Sequence, residues 1–98
     1  MATASIAPAL WPAGAAYKDG RYMPLAEAMI PVTEWAYRRS DVTYDVVSVW
    51  DGAFFRLDDH LRRFRASRES FRLTPRESEA EIRAVLHELV RRTGLREA

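Results

Sequence analysis

Residues 39–67 read RSDVTYDVVSVWDGAFFRLDDHLRRFRAS. Val46, Val47, Val49 and Trp50 give this stretch the apolar density of a buried strand, and Asp51-Gly52 follows as a two-residue turn. Asp-Gly between apolar runs signals a hairpin, because the tightest turns need positive φ at both central residues. Gly takes that conformation freely and Asp tolerates it. The return strand is expected over Ala53 to Leu57, and Asp58 stands where a helix N-cap belongs. A strand–turn–strand–helix unit of this kind brings side chains from the opening of the helix to the mouth of a sheet. Arg63 is the side chain that this placement singles out.

Downstream, the spacing of Leu57, Leu61, Phe64 and Phe71 predicts a helix from about Asp59 to Phe71, with arginines on its other faces. A second helix follows. Thr74, Pro75 and Glu77 fit the N-cap, N1 and N3 positions of a capping box, and Ile82, Val85, Leu86, Leu89 and Val90 form one apolar stripe. Arg91 and Arg92 suit the negative end of that helix, and Gly94 is its expected stop.

Upstream, Ala15-Ala16-Tyr17 and Arg21-Tyr22-Met23 flank Lys18-Asp19-Gly20, which predicts a first short hairpin. Pro24 cannot donate to a ladder and should end its strand. Leu25 to Met29 fits a helical turn stopped by Pro31, Ile30-Pro31-Val32 reads as extended, and Thr33 to Arg39 allows one or two helical turns. The fold class is therefore α+β: a small antiparallel sheet built from hairpins, followed by two helices packed on it.

The 98 residues suffice for one small domain or a piece of a larger one. A chain of this size buries only roughly 60–70% of its unfolded surface, so modest stability is expected. A net charge of +1 argues against a strong electrostatic hold on nucleic acid or a membrane surface. With 48% hydrophobic and 30% charged residues the chain is of globular type. It has no cysteine, which excludes thiolate metal sites and fits a reducing cytoplasm. No apolar run approaches the roughly 20 residues of a membrane span. Residues 1–14 carry no Lys or Arg before their apolar part, so they read as a loose arm and not as a secretory signal.

The residues offer little independent chemistry. His60 and His87 lie on different helices without a third ligand at metal spacing, so no metal is expected. Asp58 and Asp59 at a helix start are most simply cap and dipole residues. Lys18, the single lysine, sits beside a polar turn, where an amine is solvated and unactivated. The arginines of the first helix suit a solvated face better than a nucleic-acid stripe, given the acidic residues around them. Arg63 has two readings: an ordinary surface arginine, or a planar fork that holds a phosphate bidentately.

The run SDVTYDVVSVWDGAFFRLDDHLRRFRAS resembles the N-terminal small domain of class IV (fold type IV) pyridoxal-phosphate aminotransferases, a superfamily that includes branched-chain and D-amino-acid aminotransferases. It is most similar to the (R)-selective amine transaminase branch. The likeness continues weakly upstream through Tyr17 to Val32 and downstream to Ala98, roughly four-fifths of the chain. It implies an arm over 1–14 and a small domain over 15–98, with the large catalytic domain outside these residues. It also implies pyridoxal 5′-phosphate as cofactor, an amine or amino acid and a 2-oxo acid as substrates, and a homodimer when complete. On the matching motif His60-Leu61-Arg62-Arg63, Arg63 matches the arginine that in this family grips the cofactor phosphate.

Tyr44 matches a tyrosine lining the substrate pocket, with a core tyrosine as the alternative. Val46 matches the pocket position two residues on, with plain sheet core as the alternative. Arg39 replaces the usual histidine before Ser-Asp, and Ala36-Tyr37 replaces Gly-Phe. Arg39 therefore either meets a substrate carboxylate or is a solvated loop arginine. The family's Schiff-base lysine has no equivalent among the 98 residues, which implies a chain inactive by itself. Two functions stay open: part of an aminotransferase, or a non-catalytic binding domain that kept the small-domain fold.

Overall fold

Both Asp-Gly pairs make the turns their chemistry favours. Asp19 and Gly20 have φ of 53° and 81°, Asp51 and Gly52 have 49° and 80°, and each pair closes a two-residue hairpin. The computed structural model describes residues 10–34 and 42–98. The first hairpin joins β1 (Ala15–Lys18) to β2 (Arg21–Pro24) with Tyr17 opposite Tyr22. Pro24 ends β2 as expected, and a single 3₁₀ turn (Leu25–Glu27) follows. Val32 is not extended: the Glu34 N–H donates to the Pro31 carbonyl at 3.0 Å, so Pro31–Glu34 is a turn. Of the expected Thr33–Arg39 helix, residues 35–39 lie outside the described residues.

The second hairpin joins β3 (Val49–Trp50) to β4 (Ala53–Phe54), a separate two-stranded sheet. It is shorter than the sequence suggests. The Phe55 N–H still bonds back to the Ser48 carbonyl at 2.9 Å, but Arg56 then turns left-handed, with φ 57° and ψ 46°. Helix α1 (Leu57–Ser70) starts at once, with Arg56 and not Asp58 at the N-cap position and no side-chain cap bond there. The correction has a physical reason. Leu57 is needed inside the first turn to reach the core, which places Asp58 and Asp59 within that turn, where the helix dipole favours acids.

Helix α2 (Glu79–Thr93) also starts later than Thr74 and Pro75 imply. Ser78 is the N-cap, its hydroxyl accepting from the Glu81 N–H at 3.1 Å while the Glu81 carboxylate accepts from the Ser78 N–H at 3.0 Å. The S/T-x-x-E pattern occurs twice in succession, and the second copy forms the box. Glu77, from the first copy, accepts instead from the Tyr17 hydroxyl at 3.0 Å. Gly94 closes α2 in the left-handed conformation as expected.

The apolar stripe of α2 meets α1 and β1. Leu57, Leu61 and Phe64 of α1 face Ile82 and Leu86 of α2, and two ion pairs tie the helices together: Arg83–Asp58 at 2.6 Å and Arg65–Glu79 at 3.5 Å. The first hairpin docks along α2, from Glu77 just before the cap to Arg92 in the last turn. There the Arg92 guanidinium stacks over Tyr22 at 4.5 Å, and the Trp11 N–H donates to the Arg92 carbonyl at 2.6 Å. Residues 95–98 return beside β3, where Val49 and Ala98 exchange N–H···O bonds of 2.7 and 3.0 Å.

Among the described residues the buried apolar side chains are Met23, Val49, Leu57 and Leu61, and none of them is wholly shut off from solvent. With only these four buried apolar side chains among the described residues, the core is thin. The architecture is α+β, two antiparallel hairpins and two helices, as the sequence predicts. No helix of the described residues is long and apolar enough to cross a membrane.

Candidate functional site

From Val42 to Trp50 exposure alternates residue by residue, the period of an extended chain. Thr43, Asp45, Val47 and Val49 face inward, while Tyr44, Val46, Ser48 and Trp50 face out. The expectation of a uniformly buried strand is therefore corrected. Val49 is 4% exposed but Val46 is 70% exposed, because burial on one face serves only every second side chain. An acid on the inward face must find partners or stay unburied. Asp45 finds three.

The Asp45 carboxylate, 12% exposed, accepts from the Arg63 Nε–H at 2.8 Å through Oδ2 and from the Arg63 Nη2–H at 2.6 Å through Oδ1. The same Oδ1 accepts the Val46 N–H at 2.8 Å and lies 3.0 Å from the His60 Nδ1. These bonds, Arg63 first and His60 second, hold the Asp45 carboxyl far below the usual carboxylate range, and Asp45 in turn raises the Arg63 guanidinium. Arg63 Nη2 is also 3.3 Å from the His60 Nδ1. A proton on Nδ1 serves the carboxylate and cannot accept from Arg63, so that contact is proximity and not a hydrogen bond.

Arg63 reaches Asp45 because α1 begins immediately after the second hairpin, which sets its first two turns against the extended segment. The Arg63 side chain remains 66% exposed. Beyond it lies an open cleft of about 290 Å³ lined by Phe55, Arg56, Asp59, His60 and Arg63. Arg56 donates from Nε to Asp59 at 2.7 Å, and Arg62 donates to the other Asp59 oxygen at 2.8 Å. On the inner side of Asp45, a more apolar cleft of about 150 Å³ runs between the extended segment at Val47 and the two helices.

Of the residues predicted from sequence, the structure joins Arg63 to the segment that carries Tyr44 and Val46, through the residue between them. Tyr44 is 82% exposed and, like Val46, opens outward. Arg39 lies outside the described residues. His87 is not near His60's cluster; its ring packs edge-on against Phe54 at 4.9 Å. No group of three or more His, Cys, Asp or Glu side chains comes together to hold a metal ion among the described residues. Lys18 is paired with Asp19 at 2.8 Å on the hairpin tip. Asp45 and His60 are the members of the cluster that the sequence reading did not assign. The available signal was a carboxylate on the inward phase of an alternating strand.

Comparison with known proteins adds the family. Residues 43–98, more than half of the chain, match the model for amino-transferase class IV. The chain is also similar to a D-alanine aminotransferase of Bacillus licheniformis, with 32% identity over 72 residues, which is 74% of this chain and 25% of that protein. It thus spans about a quarter of the length of that relative. The family match begins at Thr43 and so contains Tyr44, Asp45, Val46, His60 and Arg63, and the chain belongs to the class IV aminotransferase family.

Proposed function

We propose that this chain is the small-domain part of a pyridoxal 5′-phosphate-dependent aminotransferase, and that Arg63 seats the cofactor's phosphate. The observation that carries the reading is a guanidinium held in the second turn of α1, inside the family match, beside an open cleft. A planar fork with two parallel donors suits a phosphate oxygen pair. The remaining cofactor chemistry does not fit these residues. Pyridoxal phosphate, where bound, supplies the electron sink for amino transfer, and the lysine that anchors it must be desolvated or placed beside a cation. Lys18 is instead paired with Asp19 at the end of a hairpin.

The complete enzyme, in this reading, is a homodimer that moves an amino group between an amine or amino acid and a 2-oxo acid. Tyr44 and Val46 border the substrate, with Arg39 as a further pocket candidate. The 98 residues alone are inactive. The test uses pyridoxine 5′-phosphate, which lacks the aldehyde and so forms no adducts with amines, against pyridoxine. The phosphorylated form is expected to bind weakly, the unphosphorylated form not at all, and Arg63→Ala to remove the difference. Equal binding of both forms by the native chain would overturn the reading. So would turnover of D-alanine with a 2-oxo acid by the 98 residues, as far as inactivity is concerned.

A further inference from the structure

We propose that Asp45 is a positioning residue for the anion site at Arg63. The inference rests on the phosphate-seating reading above and names the group that aims the guanidinium. Asp45 is itself fixed independently of Arg63, since Oδ1 accepts the neighbouring Val46 N–H at 2.8 Å and pairs with His60 at 3.0 Å. Its carboxylate then takes the Nε–H and the inner Nη2–H, one whole side of the guanidinium.

Arginine carries five donors in one plane. Gripping one side fixes that plane and turns the other edge, Nη1 with the outer hydrogen of Nη2, away from Asp45. Among the described residues no hydrogen-bond partner takes that edge, and the side chain as a whole is 66% exposed. A phosphate can therefore be met by two parallel donors already in place. Without Asp45, a long side chain on a helix surface samples many rotamers, and binding must order it.

One opposing effect has to be weighed. A carboxylate near a phosphate site repels the incoming anion. Asp45 holds the Nε–Nη2 edge, which meets the open Nη1–Nη2 edge at about 120° and shares Nη2 with it, so the incoming anion sits on the adjacent edge with its nearest oxygen about 5 Å from the carboxylate. In an open cleft the high dielectric of water weakens the repulsion, although the separation is shorter than a Debye length and salt adds little. The loss of orientation acts at hydrogen-bond distance and wins.

The experiment titrates inorganic phosphate into the native 98-residue chain and into Asp45→Asn, Asp45→Glu and Arg63→Ala. Nitrogen–proton NMR follows the Arg63 Nε–H, and backbone shifts at Leu61 confirm that each variant is folded. In the native chain the Nε–H signal should be resolved, protected from exchange and moved by phosphate. Asp45→Asn should broaden it into the exposed arginines and weaken phosphate binding about fivefold, and Asp45→Glu should recover part of both. If Asp45→Asn binds phosphate as tightly as the native chain or more tightly, Asp45 competes with the ligand and the inference is overturned while the role of Arg63 stands. If Arg63→Ala binds phosphate like the native chain, the seating reading itself falls, and this inference with it.

Discussion

Arg63 grips Asp45 from the side through two near-parallel bonds of 2.8 and 2.6 Å, although the two residues are 18 positions apart and on different elements. That pair gives the fold an acid-sensitive joint. In the unfolded chain Asp45 takes up its proton near the ordinary value of 3.8, whereas in the fold Arg63 and His60 keep it ionised well below that. As pH falls between the two, the unfolded state binds more protons, so the contribution of Asp45 is complete above about pH 4 and drains away beneath it. Glu88, lowered to about 2 by Arg91 and then Arg92, works in the same window. Thermal midpoints should therefore separate native from Asp45→Asn most at neutral pH and converge towards pH 2. A separation that stays constant with pH would rule out this linkage.

Burial separates two neighbours of the Asp45 cleft. Leu61 is 5% exposed and lines the apolar cleft between the two helices, so Leu61→Ala should cost about 2–5 kcal/mol, a large part of what a thin core supplies. Val46 is 70% exposed, and Val46→Thr should change stability by no more than about 0.5 kcal/mol. Urea midpoints measure both. A large loss at Val46 would mean that the outer face of residues 44–50 is covered in solution.

The turns and the helix stop were legible because each rests on a local rule with few competitors. Asp51-Gly52 and Asp19-Gly20 close hairpins since positive φ at both positions selects these residue types, and Gly94 ends α2 for the same reason. What was illegible depended on contacts from far along the chain. Val46 and Trp50 look as buried as Val49 until the phase of the extended segment is known, and that phase is fixed by Val49 pairing with Phe54 and with Ala98. Asp45 shows only as a polar residue in an apolar run until α1 swings Arg63 and His60 against it. The family resemblance pointed to Arg63 as a phosphate ligand, but neither it nor residue spacing pointed to the carboxylate beside it.

The displaced start of α2 gives a direct comparison between two candidate caps. Ser78 makes both bonds of the capping box with Glu81, so Ser78→Ala should destabilise by about 1 kcal/mol. Thr74→Ala removes a hydroxyl four residues before the observed cap and should be close to neutral, within about 0.5 kcal/mol. Urea midpoints decide the order, and a larger loss at Thr74 would place the functioning cap where the sequence first suggests it.

Gly52 shows how a turn can be strained without being crowded. Its φ of 80° lies in the left-handed region, while a Cβ built there would meet the Arg96 guanidinium at 3.5 Å, an ordinary contact with a flexible group. Gly52→Ala should therefore lose about 1 kcal/mol through backbone strain alone. Gly52→Asn should lose less, since asparagine tolerates this conformation. Arg96 also clasps the turn, donating to the Asp51 carboxylate at 2.5 Å and to the Asp51 carbonyl at 3.0 Å, but both side chains are exposed and the clasp is worth under about 1 kcal/mol. The two substitutions should then combine without rescue. Arg96→Ala in the Gly52→Ala background would restore stability only if the new methyl clashed with the guanidinium, and urea unfolding of the double variant distinguishes strain from collision.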